Sequence, residues 1–107
     1  MQHIAPAELA EWLDDAARSA PLLLDVREEW EYDICHIEGA RLVPMHELVA
    51  RLGELDPARE TVVICHHGVR SRMVAQYLEQ QGFAQVINLS GGMAQWAEEV
   101  APAMARY

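Results

Sequence analysis

The chain has 107 residues, half of them apolar and about a quarter charged, enough for a single domain over residues 1–107 and one core without disulfide staples. Seventeen acidic residues against eight basic ones, all arginine, give a formal charge of −9, so nucleic acid and anionic membranes are poor partners. No apolar run nears the ~20 residues that cross a bilayer, and the start lacks the basic-then-apolar order of a signal peptide. A cytoplasmic location is therefore expected, with Cys35 and Cys65 as free thiols.

Pro6 to about Ala17 reads as a helix, because Leu9, Trp12, Leu13 and Ala16 recur at helical spacing and Pro6 suits a first turn. Leu22 to Val26 is a short apolar run that reads as a buried strand. Glu28 to Asp33 fits a short helical turn, and Arg41-Leu42-Val43 a short strand stopped by Pro44. His46 to Leu55 carries Leu48, Leu52 and Leu55 on one helical face and closes at Asp56-Pro57. Thr61 to Ile64 is a β-branched strand. Arg70 to Gln81 is a helix ended by Gly82, Gln85 to Leu89 another strand, and Gly92 to about Val100 a last helix. Strands thus alternate with helices and are apolar in runs, which predicts a parallel sheet with helices on both faces. Sites in such sheets form beyond the C-terminal ends of the strands.

Only the strand ending at Ile64 is followed there by a strong nucleophile, Cys65. A thiol reacts as its thiolate, which a helix N-terminus and neighbouring cations favour. The turn His66-His67-Gly68-Val69 can aim backbone amides inward as an anion cradle, with Gly68 free to take a positive φ. On the following helix Met73, Val74, Tyr77 and Leu78 form an apolar stripe that Arg70 opens, whereas Arg72 lies about 200° away on the solvent side. An inward guanidinium needs a carboxylate or a bound anion, so Arg70 is expected to face the site or brace its loop, and Arg72 to do neither. The bland alternative for Cys65 is a small buried hydrophobe. His66 and His67 make a poor metal chelate, being adjacent in sequence, and no second Cys/His pair has zinc-site spacing, so neither metal nor cofactor is expected.

Four segments in order resemble those of single-domain rhodaneses, the thiosulfate sulfurtransferase family. They are Asp25-Val26-Arg27-Glu28, Cys35-His36-Ile37-Glu38-Gly39-Ala40, the loop Cys65 to Ser71, and Leu89-Ser90-Gly91-Gly92 through Trp96. The resemblance implies a three-layer α/β fold, with a central parallel sheet of about five short strands and helices on both faces. It implies an enzyme in which Cys65 takes a sulfane sulfur from a donor such as thiosulfate, holds it as a persulfide, and yields it to cyanide or a thiol, a protein thiol included. The loop residues His66, His67, Gly68, Val69, Arg70 and Ser71 would surround that sulfur. The alternatives are a binding or persulfide-carrier module serving a protein partner, and a phosphatase. Tyrosine and dual-specificity phosphatases use Cys-x5-Arg, whereas Cys65 to Arg70 is Cys-x4-Arg, a narrower cradle.

Two departures from the family pattern stand out. Cys35 occupies a common glycine position, either as a tolerated small side chain or as a second thiol. His66 replaces a common arginine and removes a fixed cation, which counts against thiosulfate as the preferred donor. Asp25 and Arg27 are expected to form a strand-end ion pair, His36 to satisfy loop backbone groups, and Trp96 to pack on the core. Trp30 and Tyr32 either wall the pocket or pack elsewhere.

Overall fold

The computed structural model describes residues 1–107. In chain order the elements are β1 (Gln2–Ile4), α1 (Pro6–Asp14), β2 (Leu22–Asp25), α2 (Glu29–Ile34), β3 (Arg41–Leu42), α3 (Leu48–Arg51), β4 (Thr61–Ile64), α4 (Val69–Gln80), β5 (Val86–Leu89) and α5 (Gly92–Glu99). The five strands form one parallel sheet in the order β1-β5-β4-β2-β3. It is an α/β, three-layer arrangement with helices on both faces.

Every residue of β2, β4 and β5 is buried, which explains their continuous apolar runs. Successive side chains point to opposite faces. Leu22, Leu24 and Val63 pack on Leu48 of α3 and on Val74 and Leu78 of α4. Leu23, Val62, Ile64 and Ile87 pack on Leu9 and Trp12 of α1 and on Met93 and Trp96 of α5. Each fully buried leucine or isoleucine contributes roughly 1.5–3 kcal/mol, so the two half-cores clamp the sheet from both sides.

One strand was not foreseen and two expectations need correction. The edge strand β1 carries no apolar alternation, and its first two residues are exposed. It forms because Gln2, His3 and Ile4 add to the open edge of β5. The segment read as one helix from His46 to Leu55 is α3 flanked by two 3₁₀ turns, Met45–Glu47 and Leu52–Glu54. Gly53 sits in the second of these and is a weak helix former. On α4 the buried stripe is Ser71, Val74, Ala75 and Leu78, whereas Met73 is 56% exposed. The helix is turned about one residue further than the apolar pattern suggests, because the small Ser71 and Ala75 allow close approach to the sheet. Arg70 thus flanks the stripe with its side chain about one-third exposed, and Arg72 points to solvent.

Candidate active site

The ends of β2 and β4 lie side by side, with Asp25 paired to Ile64 in the sheet. Cys65 follows at once, 1% exposed. The chain then turns through His66, His67 and Gly68 into α4. Gly68 has φ +95°, in the left-handed region, and a Cβ there would lie 3.3 Å from the Gly91 backbone nitrogen. That conformation brings the Gly68 N–H to 3.0 Å from Cys65 Sγ. The sulfur therefore sits at the entrance to α4, where unpaired amides and the helix dipole favour negative charge. Ser71 Oγ is 3.3 Å from Sγ, and its hydroxyl donates to Asn88 Oδ1 on β5. The carboxamide nitrogen of Asn88 lies 3.3 Å from His3 Nδ1.

The loop is also held from α5. Met93 N–H donates to the Cys65 carbonyl at 2.8 Å and Ala94 N–H to the His66 carbonyl at 3.0 Å. This contact requires Gly92, where a Cβ would fall 2.4 Å from the Cys65 oxygen and where φ is +57°. The Gly91-Gly92 pair thus serves the loop's position as well as the helix start.

Two carboxylate–guanidinium pairs brace the outer side. Asp25 and Arg27 are both fully buried, with Nη2 2.7 Å from Oδ2. Burial opposes the charge on Arg27, but Asp25 more than offsets it and leaves the guanidinium firmly protonated. Arg27 Nη2 also donates to the Cys35 carbonyl at 2.6 Å and Nη1 to the Glu31 carbonyl at 3.3 Å, tying β2 to α2. Glu31 of α2 takes Arg70 bidentately, Nη1 to Oε1 at 2.7 Å and Nη2 to Oε2 at 2.8 Å. Those bonds hold the Glu31 carboxyl down to about 2 against the opposing effect of burial. The hydroxyl of Tyr107 donates to Glu31 Oε2 at 2.8 Å and accepts from Arg27 Nη1 at 2.9 Å. Burial, with Glu31 nearby, pushes that phenol up to about 12 despite the opposing pull of Arg27.

The residues expected around the sulfur fall into distinct positions. Gly68 and Ser71 contact Sγ directly. His66 stacks on Tyr107 at 4.2 Å and meets the edge of His67 at 4.1 Å, with its Nδ1 buried and unpartnered. Burial, reinforced by His67, lowers the His66 pKa. His67 and Val69 are exposed, and Arg70 engages Glu31 with both terminal nitrogens. Cys35 is a buried free thiol whose sulfur lies 3.9 Å from Arg27 Nη1. It lines a cavity of about 300 Å³ together with His66, His67, Met93, Arg106 and Tyr107. His36 Nδ1 lies 2.8 Å from the Tyr32 carbonyl, while Tyr32 donates to the Ala40 carbonyl. Neither Trp30 nor Tyr32 lines that cavity. Trp30 is 58% exposed and touches Tyr107 edge-on.

Sequence reasoning missed Glu31, Asn88 and Tyr107. The need of Arg70 for a carboxylate was the one usable signal, but it did not single out Glu31 among Glu28, Glu29, Glu31 and Asp33.

The family model described as rhodanese-like domain matches residues 5–99. A thiosulfate sulfurtransferase, GlpE, of Pseudomonas paraeruginosa is 34% identical over 89% of this chain and 83% of its own. A probable adenylyltransferase/sulfurtransferase, MoeZ, of Mycobacterium tuberculosis is 38% identical over 97% of this chain. The chain spans only 26% of that relative's length. Among solved structures, a rhodanese-related protein of Thermoplasma volcanium superposes with TM-score 0.85 at 31% identity, covering 95% of this chain and 96% of that one.

Proposed function

The chain belongs to the rhodanese-like domain family, and we propose that it is a sulfurtransferase that carries a sulfane sulfur on Cys65. The observation that carries this reading is the Gly68 N–H at 3.0 Å from a sulfur set between a strand end and a helix start. A charge-assisted bond of this kind contributes about 1.5–3 kcal/mol to the anionic form. The relatives named as sulfurtransferases support the same activity.

The reaction has two displacements. The Cys65 thiolate attacks the outer sulfur of the donor. The donor's S–S bond breaks, and its electron pair leaves with the leaving group, sulfite in the case of thiosulfate. The product is the anion Cys65–S–S⁻, held where the thiolate was. A cyanide or thiolate acceptor then attacks the outer sulfur and departs as thiocyanate or a new persulfide, regenerating the Cys65 thiolate. No net redox partner is needed.

Charge placement bears on the donor. Arg27 is engaged by Asp25 and Arg70 by Glu31, so neither guanidinium is free for an oxyanion. His66, its pKa lowered, adds no fixed charge. Arg106, on the adjoining cavity, is the one nearby guanidinium without a carboxylate partner, so thiosulfate is held less firmly than by a loop with free arginines, and an uncharged or organic persulfide suits the site better. Mass spectrometry after incubation with thiosulfate or an organic persulfide tests the proposal. One added sulfur on Cys65, absent in Cys65→Ser, is expected; no adduct at Cys65 with any sulfane donor refutes it.

A further inference from the structure

The hydroxyl of Tyr107 joins two ion pairs otherwise linked only by the bond from Arg27 Nη1 to the Glu31 backbone carbonyl. Arg27 has five N–H donors, and each has a partner: Asp25 takes Nε and one hydrogen of Nη2, the Cys35 carbonyl the other, and the Glu31 carbonyl and Tyr107 those of Nη1. Arg27 can only donate, so the phenol must accept from it and turn its own proton to Glu31 Oε2. Glu31 in turn receives two bonds on each oxygen: Arg70 and the Glu28 amide on Oε1, Arg70 and Tyr107 on Oε2. The orientation of the carboxylate that grips Arg70 is thus set in part by Tyr107. The same ring stacks on His66, at 4.2 Å and 26° from parallel.

We propose that Tyr107 is a positioning residue for the sulfur-bearing loop, holding its start by stacking on His66 and its end through the hydroxyl bridge to Glu31 and Arg70. The inference rests on the sulfur-transfer reading of Cys65 for its kinetic consequence. The six residues from Cys65 to Arg70 are therefore gripped at both ends by one side chain from a distant part of the chain. A small displacement of the loop misaligns the Cys65 sulfur with the bond being broken, so kcat is affected before KM.

Tyr107 is 37% exposed, so Phe is accommodated there. Tyr107→Phe keeps the stack and removes the bridge; Tyr107→Ala removes both, together with one wall of the adjoining cavity. Turnover with an organic persulfide is measured per Cys65 thiol titrated by peptide-resolved iodoacetamide labelling, alongside thermal unfolding. Tyr107→Phe is expected to lower kcat about fivefold with KM within about twofold, the loss expected of one hydrogen bond. Tyr107→Ala is expected to lower kcat further and raise KM. Wild-type kcat per titrated thiol in Tyr107→Phe overturns the proposal, even if that variant melts at a lower temperature. If the wild-type protein transfers no sulfur, the reading of the site fails first. The positioning role is then judged from the rate of Cys65 alkylation at neutral pH, about fivefold slower in Tyr107→Phe if the proposal holds and equal if it does not.

Discussion

Replacing Glu31 by Gln removes one charge and little volume at the point where α2 meets the loop. The carboxyl lies at about 2 in the folded protein against an ordinary value of 4.5, and its side chain is 4% exposed, so little solvent screens it. A difference of that size corresponds to about 3 kcal/mol of folding stability, reduced to about 2–3 because Arg70 is one-third exposed. The sign follows from a folded value below the unfolded one. The contribution is complete above pH 4.5 and disappears as the pH falls towards 2. Glu31→Gln is neutral throughout and does not titrate. Urea unfolding of both proteins from pH 7 down to pH 3 is the assay. The wild-type advantage should be about 2–3 kcal/mol at pH 7, equivalent to a melting shift on the order of 10 °C, and should shrink steadily below pH 4.5. Other carboxyls are common to both proteins and largely cancel in the difference. An advantage that is absent at pH 7, or that stays constant down to pH 3, would refute the assignment of the Glu31–Arg70 pair as a buried, strongly coupled brace.

Gly92→Ala should cost about 3 kcal/mol or more, since the added Cβ meets the Cys65 carbonyl at 2.4 Å in a left-handed conformation. Denaturant unfolding reads that loss, and wild-type stability in this variant would mean that α5 does not press on the loop. Arg70→Ala should reduce sulfur-transfer kcat at least tenfold by releasing the loop from Glu31, whereas Arg72→Ala, on the solvent face, should stay within about twofold of wild type. Equal losses in the two variants, compared by steady-state kinetics, would contradict that placement.

The alternation of strands and helices was readable because β2, β4 and β5 are buried on both faces and must be apolar throughout. Helices α1, α4 and α5 were readable because each buries one stripe. β1 escaped because an edge strand three residues long needs no pattern of its own; its hydrogen bonds come from β5. Met73 misled because an exposed methionine at helical spacing looks like a core residue, whereas the small Ser71 and Ala75 pack more closely.

By itself the sequence determined what depends on neighbours along the chain. The nucleophile after an apolar strand, the glycine at the turn, the Cys-x4-Arg spacing and the following helix are all contained in Val62 to Ser71. Local backbone geometry then brings the Gly68 amide onto the sulfur. Apart from the local Asp25–Arg27 pair, tertiary structure decided which polar groups face each other. Glu31 and Arg70 are 39 residues apart, Tyr107 and Arg27 80 apart, and Ser71 and Asn88 17 apart. No periodicity encodes such pairs, since any of several acids could have met Arg70. The parallel crossovers selected Glu31 by setting the start of α2 beside the start of α4, and the same packing left the sulfur against the Gly68 amide with Arg27 and Arg70 already paired.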